Sequence, residues 1–292
     1  MPNNTKYIVV TPVRDEASFI ERTIQSVTCQ SVPPSEWILV DDGSTDGTGE
    51  IIDNWKNQCD WIKVIHRKDR GFRVAGGGVV EAFYDGYSAI SNSVWNFIVK
   101  LDGDLSFDKD YFQKCFAKFN EDSRLGIGGG LVCYEASDEL REESVGDPPF
   151  HVRGATKIYR RSCWDLIAPL VTAAGWDTID EVKANMLGWR TRTFRDIKLI
   201  QHKPTGRADG IWRNWFKNGR ANYITGYHPL FMIGKCAKRA FQKPPLIQSA
   251  MLGAGFLSGY FLGLSRVSDK AVIKYLRQQQ IRRMLMRPSI YS

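Results

Sequence analysis

The chain has 292 residues, of which 43% are hydrophobic and 25% are charged. These values suit one large α/β domain with an appendage, and they exclude a disordered chain, a collagen and a coiled coil. The formal net charge of +8 favours a polyanionic partner, whether nucleic acid, an anionic membrane or a phosphorylated ligand.

The surplus positive charge lies at the C-terminal end. Residues 235–292 contain eleven Lys or Arg residues and one acidic residue, Asp269, which gives a net charge of +10. The other 29 basic and 31 acidic residues leave residues 1–234 at −2. We therefore expect a nearly neutral domain over 1–234, followed by a basic, glycine-rich helical tail over 235–292.

The six cysteines stand apart, without a Cys-x-x-Cys pair and without a His at zinc-finger spacing. The sequence therefore predicts neither a disulfide framework nor a structural zinc site, and the thiols suit a reducing compartment. The N-terminal residues lack the pattern of a signal peptide, which favours a cytoplasmic location.

Apolar runs alternate with helical patterns at the start of the chain. Strands are predicted at 7–10, 37–40, 61–65 and 95–101, because these runs are short and apolar without alternation, as in strands buried on both faces. A helix is expected after each of the first three strands, and Asp15 or Ser18 can cap the first of them. This order predicts a Rossmann-like α/β domain. Further on, we expect a glycine-rich strand at 126–134 and a helix at 178–187.

Acidic loops follow three of these strands: Asp15 with Glu16, Asp41 with Asp42, and Asp102-Gly103-Asp104. Ligands of open α/β sheets bind beyond the carboxyl ends of the strands, so the three loops should meet at one edge. Two carboxylates one residue apart can reach a common divalent cation and the diphosphate that it holds. The structural alternatives are a plain Asp-Gly turn for the third loop and capping for the second.

In this order and spacing, the segments Thr11 to Glu16, Val40 to Thr48 and Leu101 to Asp104 resemble the motifs of family 2 glycosyltransferases with the GT-A fold. The resemblance covers roughly the first 230 residues. It implies a mixed, mostly parallel sheet flanked by helices, a nucleotide-sugar donor with UDP-sugar favoured, a Mn²⁺ or Mg²⁺ ion, and inversion at the anomeric carbon. The Gln-x-x-Arg-Trp signature of processive polymerases is absent, which favours the addition of one sugar per acceptor.

The resemblance also implies roles for individual residues. Asp42 would bond the base, and Asp102 would bridge to the ribose or to metal-bound water. The implied nucleotide-sugar-binding residues are Thr11, Pro12, Glu16, Asp42, Arg73, Asp102 and Gly103, with Thr11 and Pro12 lining the nucleoside pocket. The implied metal ligands are Asp104 and His202, although a lone His is often structural.

Counting back from Gly188 assigns the catalytic base of the family to Asp177. The family pair Glu-Asp is Trp-Asp here, so Asp180 and Glu181 stay as alternates. The structural alternative is a helix cap, with Asp177 or Thr178 at the N-cap position. The segment Arg153-Gly154-Ala155-Thr156 resembles the acceptor-side loop of the family.

Residues 244–265 carry no charge over 22 positions, which is long enough for a membrane span to be considered. Gly255, Gly259 and Gly263 have the small-xxx-small spacing of helix packing in membranes. The basic residues on both sides favour peripheral binding at the anionic inner face of the cell membrane. The alternative is a glycine-rich helix packed on the globular body.

Together these patterns predict an inverting transferase that moves one sugar to a hydroxyl of a saccharide or lipid-linked acceptor, in surface polysaccharide or glycolipid synthesis. One alternative is a polyprenyl-phosphate sugar synthase, whose acceptor is a phosphate. Another is a non-catalytic nucleotide-binding membrane scaffold. Nucleic acid is not an expected partner, because no nucleic-acid-binding motif accompanies the tail.

Overall fold

A computed structural model describes residues 5–71, 76–136, 139–143, 145–203, 210–241 and 246–292. The strands of this part of the chain are β1 (Tyr7–Val13), β2 (Glu36–Asp41), β3 (Ile62–His66), β4 (Phe97–Leu101), β5 (Leu105–Ser106), β6 (Leu125–Ala136), β7 (Glu139–Glu142), β8 (Thr156–Arg160) and β9 (Arg190–Gln201). The helices are α1 (Ile20–Thr28), α2 (Thr48–Lys56), α3 (Gly77–Ser88), α4 (Tyr111–Glu121), α5 (Arg161–Ile167), α6 (Trp176–Met186), α7 (Gly210–Ile224), α8 (Pro229–Ala240), α9 (Ile247–Phe261) and α10 (Lys270–Met284).

The strands form a single mixed sheet in the order β3-β2-β1-β4-β8-β6-β9-β5, with β7 paired to β6. The first half, from β3 to β4, is parallel, as the alternation of strands and helices predicts. The second half joins it through β8, which runs antiparallel to β4. The predicted α/β class with a mixed sheet flanked by helices is confirmed.

Apolar side chains pack on both faces of the sheet. One core contains Val9 and Trp37 and packs against α1 and α4. The other contains Val10 and Phe83 and packs against α3 and α5. All seven residues of β1 are buried, which explains why its sequence is apolar without alternation.

The start of α1 differs from the prediction. The helix begins at Ile20, and no side chain caps it, so the expected caps Asp15 and Ser18 are wrong. The backbone carbonyl of Glu16 accepts the N–H groups of Phe19 and Ile20 instead, each at 2.9 Å. The main chain itself therefore satisfies the first donors of the helix.

The C-terminal helices pack with α6 around a third apolar core. Gly255 and Gly259 of α9 face α7, where Cβ atoms would lie 2.0 Å from the carbonyl oxygen of Phe216 and 2.2 Å from the ring of Tyr223. The small-residue spacing thus serves packing inside this chain. In the described part of the chain, every helix is too short or too polar to cross a membrane. The boundary expected after residue 234 falls within α8 and stays a prediction from composition.

Candidate active site

The Asp102-Gly103-Asp104 segment forms the tight loop between β4 and β5, which we call the aspartate loop. This loop passes so close to β1 that a Cβ atom on Gly103 would lie 2.6 Å from Cγ1 of Val13. A larger residue at this position would fit only if the side chain of Val13 moved. The sequence of the loop is therefore set by its packing as well as by its two carboxylates.

Lys100 joins this loop to the segment before β8. Its ammonium group donates to the Asp102 carboxylate and, at 2.6 Å, to the carbonyl of Gly154. The N–H of Asp102 donates to the carbonyl of Ala155 at 2.8 Å. Lys100 is only 3% exposed, whereas the Asp102 side chain is 30% exposed, so a buried cation fixes the orientation of a carboxylate that solvent can still reach.

Asp104 is buried beside Gln201, the last residue of β9. Gln201 Nε2 donates to Asp104 Oδ2 at 3.1 Å, while Oε1 of the same amide has no hydrogen-bond partner in the described ranges. Burial, together with the negative charges of Asp102 and Glu16, raises the pKa of Asp104 to about 7. The loop thus concentrates oxygen atoms and negative charge that a cation would stabilise.

A hard divalent cation fits these residues, because carboxylate and amide oxygens are its preferred ligands. Asp104, Asp102 and Oε1 of Gln201 are the groups that would hold it. The described residues contain no cluster of three His, Cys, Asp or Glu side chains arranged to hold a metal. A bound cation would therefore take further ligands from a substrate phosphate and from water, as Mg²⁺ does in many phosphate sites.

His202 is next to this loop through its backbone, whose N–H donates to the carbonyl of Asp104 at 2.9 Å. The imidazole ring contacts residues outside the aspartate loop. Its Nε2 is 2.9 Å from Ser106 Oγ, and its Nδ1 is 3.1 Å from Arg22 Nη1. Since a guanidinium can only donate hydrogen bonds, Nδ1 is the acceptor. Burial, and then the positive charge of Arg22, lowers the pKa of the imidazole. Metal binding by His202 stays a prediction that requires the ring to leave one of these partners.

Glu16 lies in the loop after β1 and contacts two other parts of the site. Its N–H donates to Thr48 Oγ1 at 2.8 Å, and its Oε1 accepts from Lys203 Nζ at 3.0 Å. Its charge also raises the pKa of Asp104. The loops after β1, β2 and β4 therefore meet at one edge of the sheet, as expected, while binding of a nucleotide-sugar by Glu16 stays a prediction.

Asp42 is held by two arginines that follow β3. Arg67 donates to Oδ1, and Arg70 donates to Oδ2 at 2.6 Å. Arg70 also bonds Glu81 at 2.6 Å, which links this pair to α3. Each carboxylate oxygen keeps a second lone pair, so a hydrogen bond between Asp42 and a base stays a prediction.

Two predicted donor-side residues lie inside β1. Thr11 is fully buried, and its hydroxyl accepts a hydrogen bond from Trp37 Nε1 at 2.9 Å. Its hydroxyl therefore belongs to the core, and the lining of the nucleoside pocket by Thr11 stays a prediction. Pro12 is buried on the opposite face of β1, and its contact with a nucleoside stays a prediction. Arg73 lies outside the described residues.

Asp177 lies in the first turn of α6. This helix begins at Trp176, directly after Gly175, whose backbone is left-handed (φ 84°). No side chain caps this helix, so the expected capping role of Asp177 or Thr178 is wrong. The Asp177 carboxylate is half-buried and lies against Gly154, where a Cβ atom would be 3.4 Å from Oδ2. Because Gly154 also accepts from Lys100, the predicted base lies beside the aspartate loop.

Positive charges around Asp177 keep its carboxylate ionised. Burial acts to raise the pKa of this group, but the charges of His151, Lys157, Arg153 and Lys100 outweigh burial and lower the pKa. A carboxylate with a lowered pKa stays deprotonated at neutral pH. It is therefore always in the form that can accept a proton.

Asp180 and Glu181, the alternates for the base, face the interior of the protein. Lys157 Nζ lies 2.8 Å from a carboxylate oxygen of each. Tyr159 donates to Asp180 at 2.6 Å, and His151 Nδ1 lies 2.9 Å from Glu181. Both acids are at most 3% exposed. Asp180 and Glu181 lie one turn after Asp177 in α6, where both are buried in ion pairs with Lys157, so Asp177 is the residue kept as the proposed base.

A cavity of about 520 Å³ opens in front of Asp177. Arg153 lines it on the same side of the molecule, and Trp215, Asn222 and Lys235 of α7 and α8 supply further walls. This volume is within the range of small-molecule sites. Asp177 is therefore positioned to accept a proton from a molecule bound in this cavity, which we call the acceptor cavity.

Sequence reasoning missed Lys100, Lys157 and Gln201. A signal existed for Lys100, because it stands within a short apolar strand, and a buried charge is retained only when it is paired. Lys157 lacks this signal, because β8 is largely polar. Gln201 gave no such signal, since its importance depends on the pairing of β9 with β5. Its contact with Asp104 is visible only in the folded chain.

Comparison with known proteins agrees with this geometry. The sequence model of the family described as Glycosyl transferase family 2 matches residues 8–167, more than half of the chain. Poly-beta-1,6-N-acetyl-D-glucosamine synthase of Staphylococcus aureus is 30% identical over 117 residues, which are 40% of this chain and 26% of that protein. The chain spans two fifths or less of the length of the curated relatives that it matches here.

Solved structures share the fold at low sequence identity. Mannosyltransferase PcManGT from Pyrobaculum calidifontis, in complex with GDP-Man and Mn²⁺, has a TM-score of 0.57 at 17% identity and covers 99% of this chain and 77% of its own. S. aureus TarS 1-349, in complex with UDP-GlcNAc, has a TM-score of 0.54 at 17% identity. The match covers 94% of this chain and 78% of the TarS chain. This likeness confirms the predicted GT-A architecture. Since this family model matches more than half of the chain, the chain belongs to glycosyl transferase family 2.

Proposed function

We propose that the protein is an inverting glycosyltransferase that moves a single sugar from a nucleoside diphosphate sugar to a hydroxyl of a saccharide or lipid-linked acceptor. The observation that carries this proposal is the placement of Asp177. Its ionised carboxylate lies against Gly154, beside the aspartate loop, and lines the acceptor cavity. In-line displacement at an anomeric carbon needs such a proton acceptor beside the attacking hydroxyl, on the face opposite to the leaving group.

In this mechanism Asp177 accepts the proton of the acceptor hydroxyl while that oxygen bonds to the anomeric carbon. The bond between this carbon and the diphosphate breaks in the same step, so attack from the opposite face inverts the configuration. A divalent cation held by Asp104 and Asp102 would neutralise the charge on the departing diphosphate. Lys100 orients Asp102, and His151 helps to keep Asp177 deprotonated.

The donor class and the metal are proposed from similarity. The solved mannosyltransferase holds GDP-Man and Mn²⁺, and TarS holds UDP-GlcNAc. The family resemblance favours a UDP-sugar for this chain, with Mn²⁺ or Mg²⁺. The polysaccharide synthase among the relatives supports a place in surface polysaccharide or glycolipid synthesis.

A panel of UDP- and GDP-sugars with Mn²⁺ tests this proposal, with the melting temperature and nucleotide release as readouts. A ligand that binds only the folded state raises the melting temperature. We expect one UDP-sugar to do so with Mn²⁺, and Asp104→Asn to abolish the shift. Asp165→Asn, which removes an exposed carboxylate on α5, is the control. A panel without any shift would contradict the proposal, and binding without turnover would instead favour a nucleotide-binding scaffold.

We also propose that α9 and α10 bind the anionic inner face of the cell membrane. Phe261 and Met286 are 86% and 93% exposed, and Arg282 and Arg283 lie in the last turn of α10. Apolar side chains beside cations suit an interfacial helix. The protein should float with phosphatidylglycerol vesicles and not with phosphatidylcholine vesicles, and Phe261→Ser with Met286→Ser should reduce flotation. Equal recovery with both lipids would contradict this binding mode.

A further inference from the structure

The acceptor cavity is also lined by residues that the proposed proton transfer does not use. They are Lys235, Lys238 and Arg239 of α8, together with Asn222 of α7. Three cations therefore line the same cavity as the Asp177 carboxylate. We call these four residues the basic end of the acceptor cavity.

Two buried donors at the basic end have no hydrogen-bond partner in the described part of the chain. Asn222 is 8% exposed, and its Nδ2 is unpartnered. Nε of Arg239 is likewise unpartnered, although its guanidinium lies 5.0 Å from the ring centroid of Trp215. Buried donors are nearly always paired in native proteins. A ligand oxygen bound here would supply the missing acceptor.

Lys235 lies beside these donors. Its Nζ is 3.4 Å from Asn222 Oδ1 and 5.0 Å from the ring centroid of Tyr227. Lys235 and Arg239 are four residues apart on α8 and therefore share one face of the helix. Burial, and then the charge of Arg239, lowers the pKa of Lys235 to about 8. An anion bound between the two cations would relieve their repulsion.

The charges are distributed unevenly along the cavity. Asp147 is the carboxylate that acts on both Lys235 and Arg239, and it also lies 3.9 Å from His151. Glu143, which also lines the cavity, pairs with Arg153 at 2.9 Å. The basic end thus places three cations against Asp147, which leaves an excess of positive charge.

We propose that the basic end binds a phosphate group carried by the acceptor while the acceptor hydroxyl reaches Asp177. This inference rests on the proposed function, whose acceptor it narrows to a phosphorylated molecule. A phosphate brings up to two negative charges and three acceptor oxygens. A phosphate can therefore bind the ammonium, the amide and the guanidinium of the basic end at the same time. A ligand carboxylate, which carries one negative charge, would fit these three groups less well. The phosphate can belong to a lipid or to a polyol phosphate saccharide.

Calorimetric titration of the full chain tests the proposal. The protein is first saturated with UDP and Mn²⁺, so that the donor site is filled, and then titrated with glycerol 3-phosphate or with hexyl phosphate. We expect at least one of them to bind, and Lys235→Gln with Arg239→Gln to weaken that binding about tenfold or more, as for lost charged hydrogen bonds. Tighter binding of hexyl phosphate would identify a lipid source, and tighter binding of glycerol 3-phosphate a polyol phosphate source.

The matched control is Lys56→Gln with Arg124→Gln, which removes two exposed charges outside the lining of the acceptor cavity and should leave phosphate binding unchanged. If neither phosphate binds, or if the double variant at the basic end binds as tightly as the wild type, the proposal is overturned. UDP binding in the same experiment reports separately on the donor site. Its absence from the wild type would contradict the proposed function itself, whereas its retention in the variants shows that they are folded.

Discussion

Asp177 lies against Gly154, with Oδ2 of the carboxylate at van der Waals distance, 3.4 Å, from the position that a Cβ atom on Gly154 would take. The carbonyl of Gly154 accepts from Lys100 at 2.6 Å, and Lys100 also pairs with Asp102. Gly154 therefore lies between Asp177, the proposed base, and the aspartate loop. The spacing of the two depends on the absence of a side chain at this position.

Gly154→Val should lower turnover by about 10- to 100-fold, because its side chain would push Asp177 and Trp176 away from the aspartate loop. A Cβ atom would already lie 3.2 Å from Cζ2 of Trp176, and small displacements of reacting groups are costly. Nucleotide release measures turnover, and calorimetry measures UDP affinity, which should hardly change. Gly154→Ala should have an intermediate effect. Turnover of the valine variant within about twofold of the wild type would disprove the tight contact.

Lys157→Met should destabilise the protein by about 3–5 kcal/mol, because it leaves two buried carboxylates without their cation. Lys157 is fully buried between Asp180 and Glu181. Urea unfolding measures the loss. The control is Lys118→Met, which breaks an ion pair with the exposed Asp196 and should cost less than about 1 kcal/mol. Similar losses for the two variants would argue against a buried structural cluster.

Gly255→Ala should destabilise the packing of α9 on α7 by about 1–3 kcal/mol. The added methyl group would lie 2.0 Å from the carbonyl oxygen of Phe216. Gly253→Ala is the matched control in the same helix, because its Cβ would meet only Cys236 Sγ, at 3.7 Å. That control should be neutral or stabilising by up to about 1 kcal/mol. Thermal unfolding measures both, and equal effects would contradict this packing.

His151 should make the stability depend on pH. Burial opposes protonation of its ring, but the charge of Glu181 and the 2.9 Å hydrogen bond to it, with Asp177 and Asp147, raise the pKa of His151. A raised pKa means that the folded state binds the proton more tightly than the unfolded state. The stabilisation is fully present below about pH 6.5, the unfolded value, and is lost as the pH rises through the folded pKa.

Urea unfolding between pH 6 and 9 checks this expectation. The free energy of unfolding of the wild type should fall across the upper part of this range. His151→Gln should remove that part of the fall, whereas His228→Gln should keep it. An unchanged pH dependence in His151→Gln would show that another group is responsible.

The first half of the sheet could be predicted from the sequence because its strands are buried on both faces, and such strands are apolar without alternation. The beginnings of α1 and α6 could not be predicted in the same way. The first is held by a main-chain acceptor at Glu16, and the second begins after the left-handed Gly175. Neither arrangement requires a particular capping side chain.

In the site, too, some features could be predicted from local sequence, whereas others depend on contacts between distant segments. The aspartate loop and Asp177 could be found because their residue types and spacing resemble a known family. The burial of the Thr11 hydroxyl could not be predicted, because it depends on Trp37, which lies on the neighbouring strand. The basic end of the acceptor cavity depends on contacts between α7 and α8, and no local pattern identifies it.

The most direct test of the account is nucleotide release from the preferred UDP-sugar by Asp177→Asn, measured beside its affinity for UDP with Mn²⁺. We predict that turnover falls by about 10²- to 10⁴-fold, the usual contribution of a general base, while UDP affinity stays within about twofold of the wild type. Turnover of Asp177→Asn close to that of the wild type would contradict activation of a hydroxyl by Asp177. It would favour an acceptor phosphate that attacks without a base.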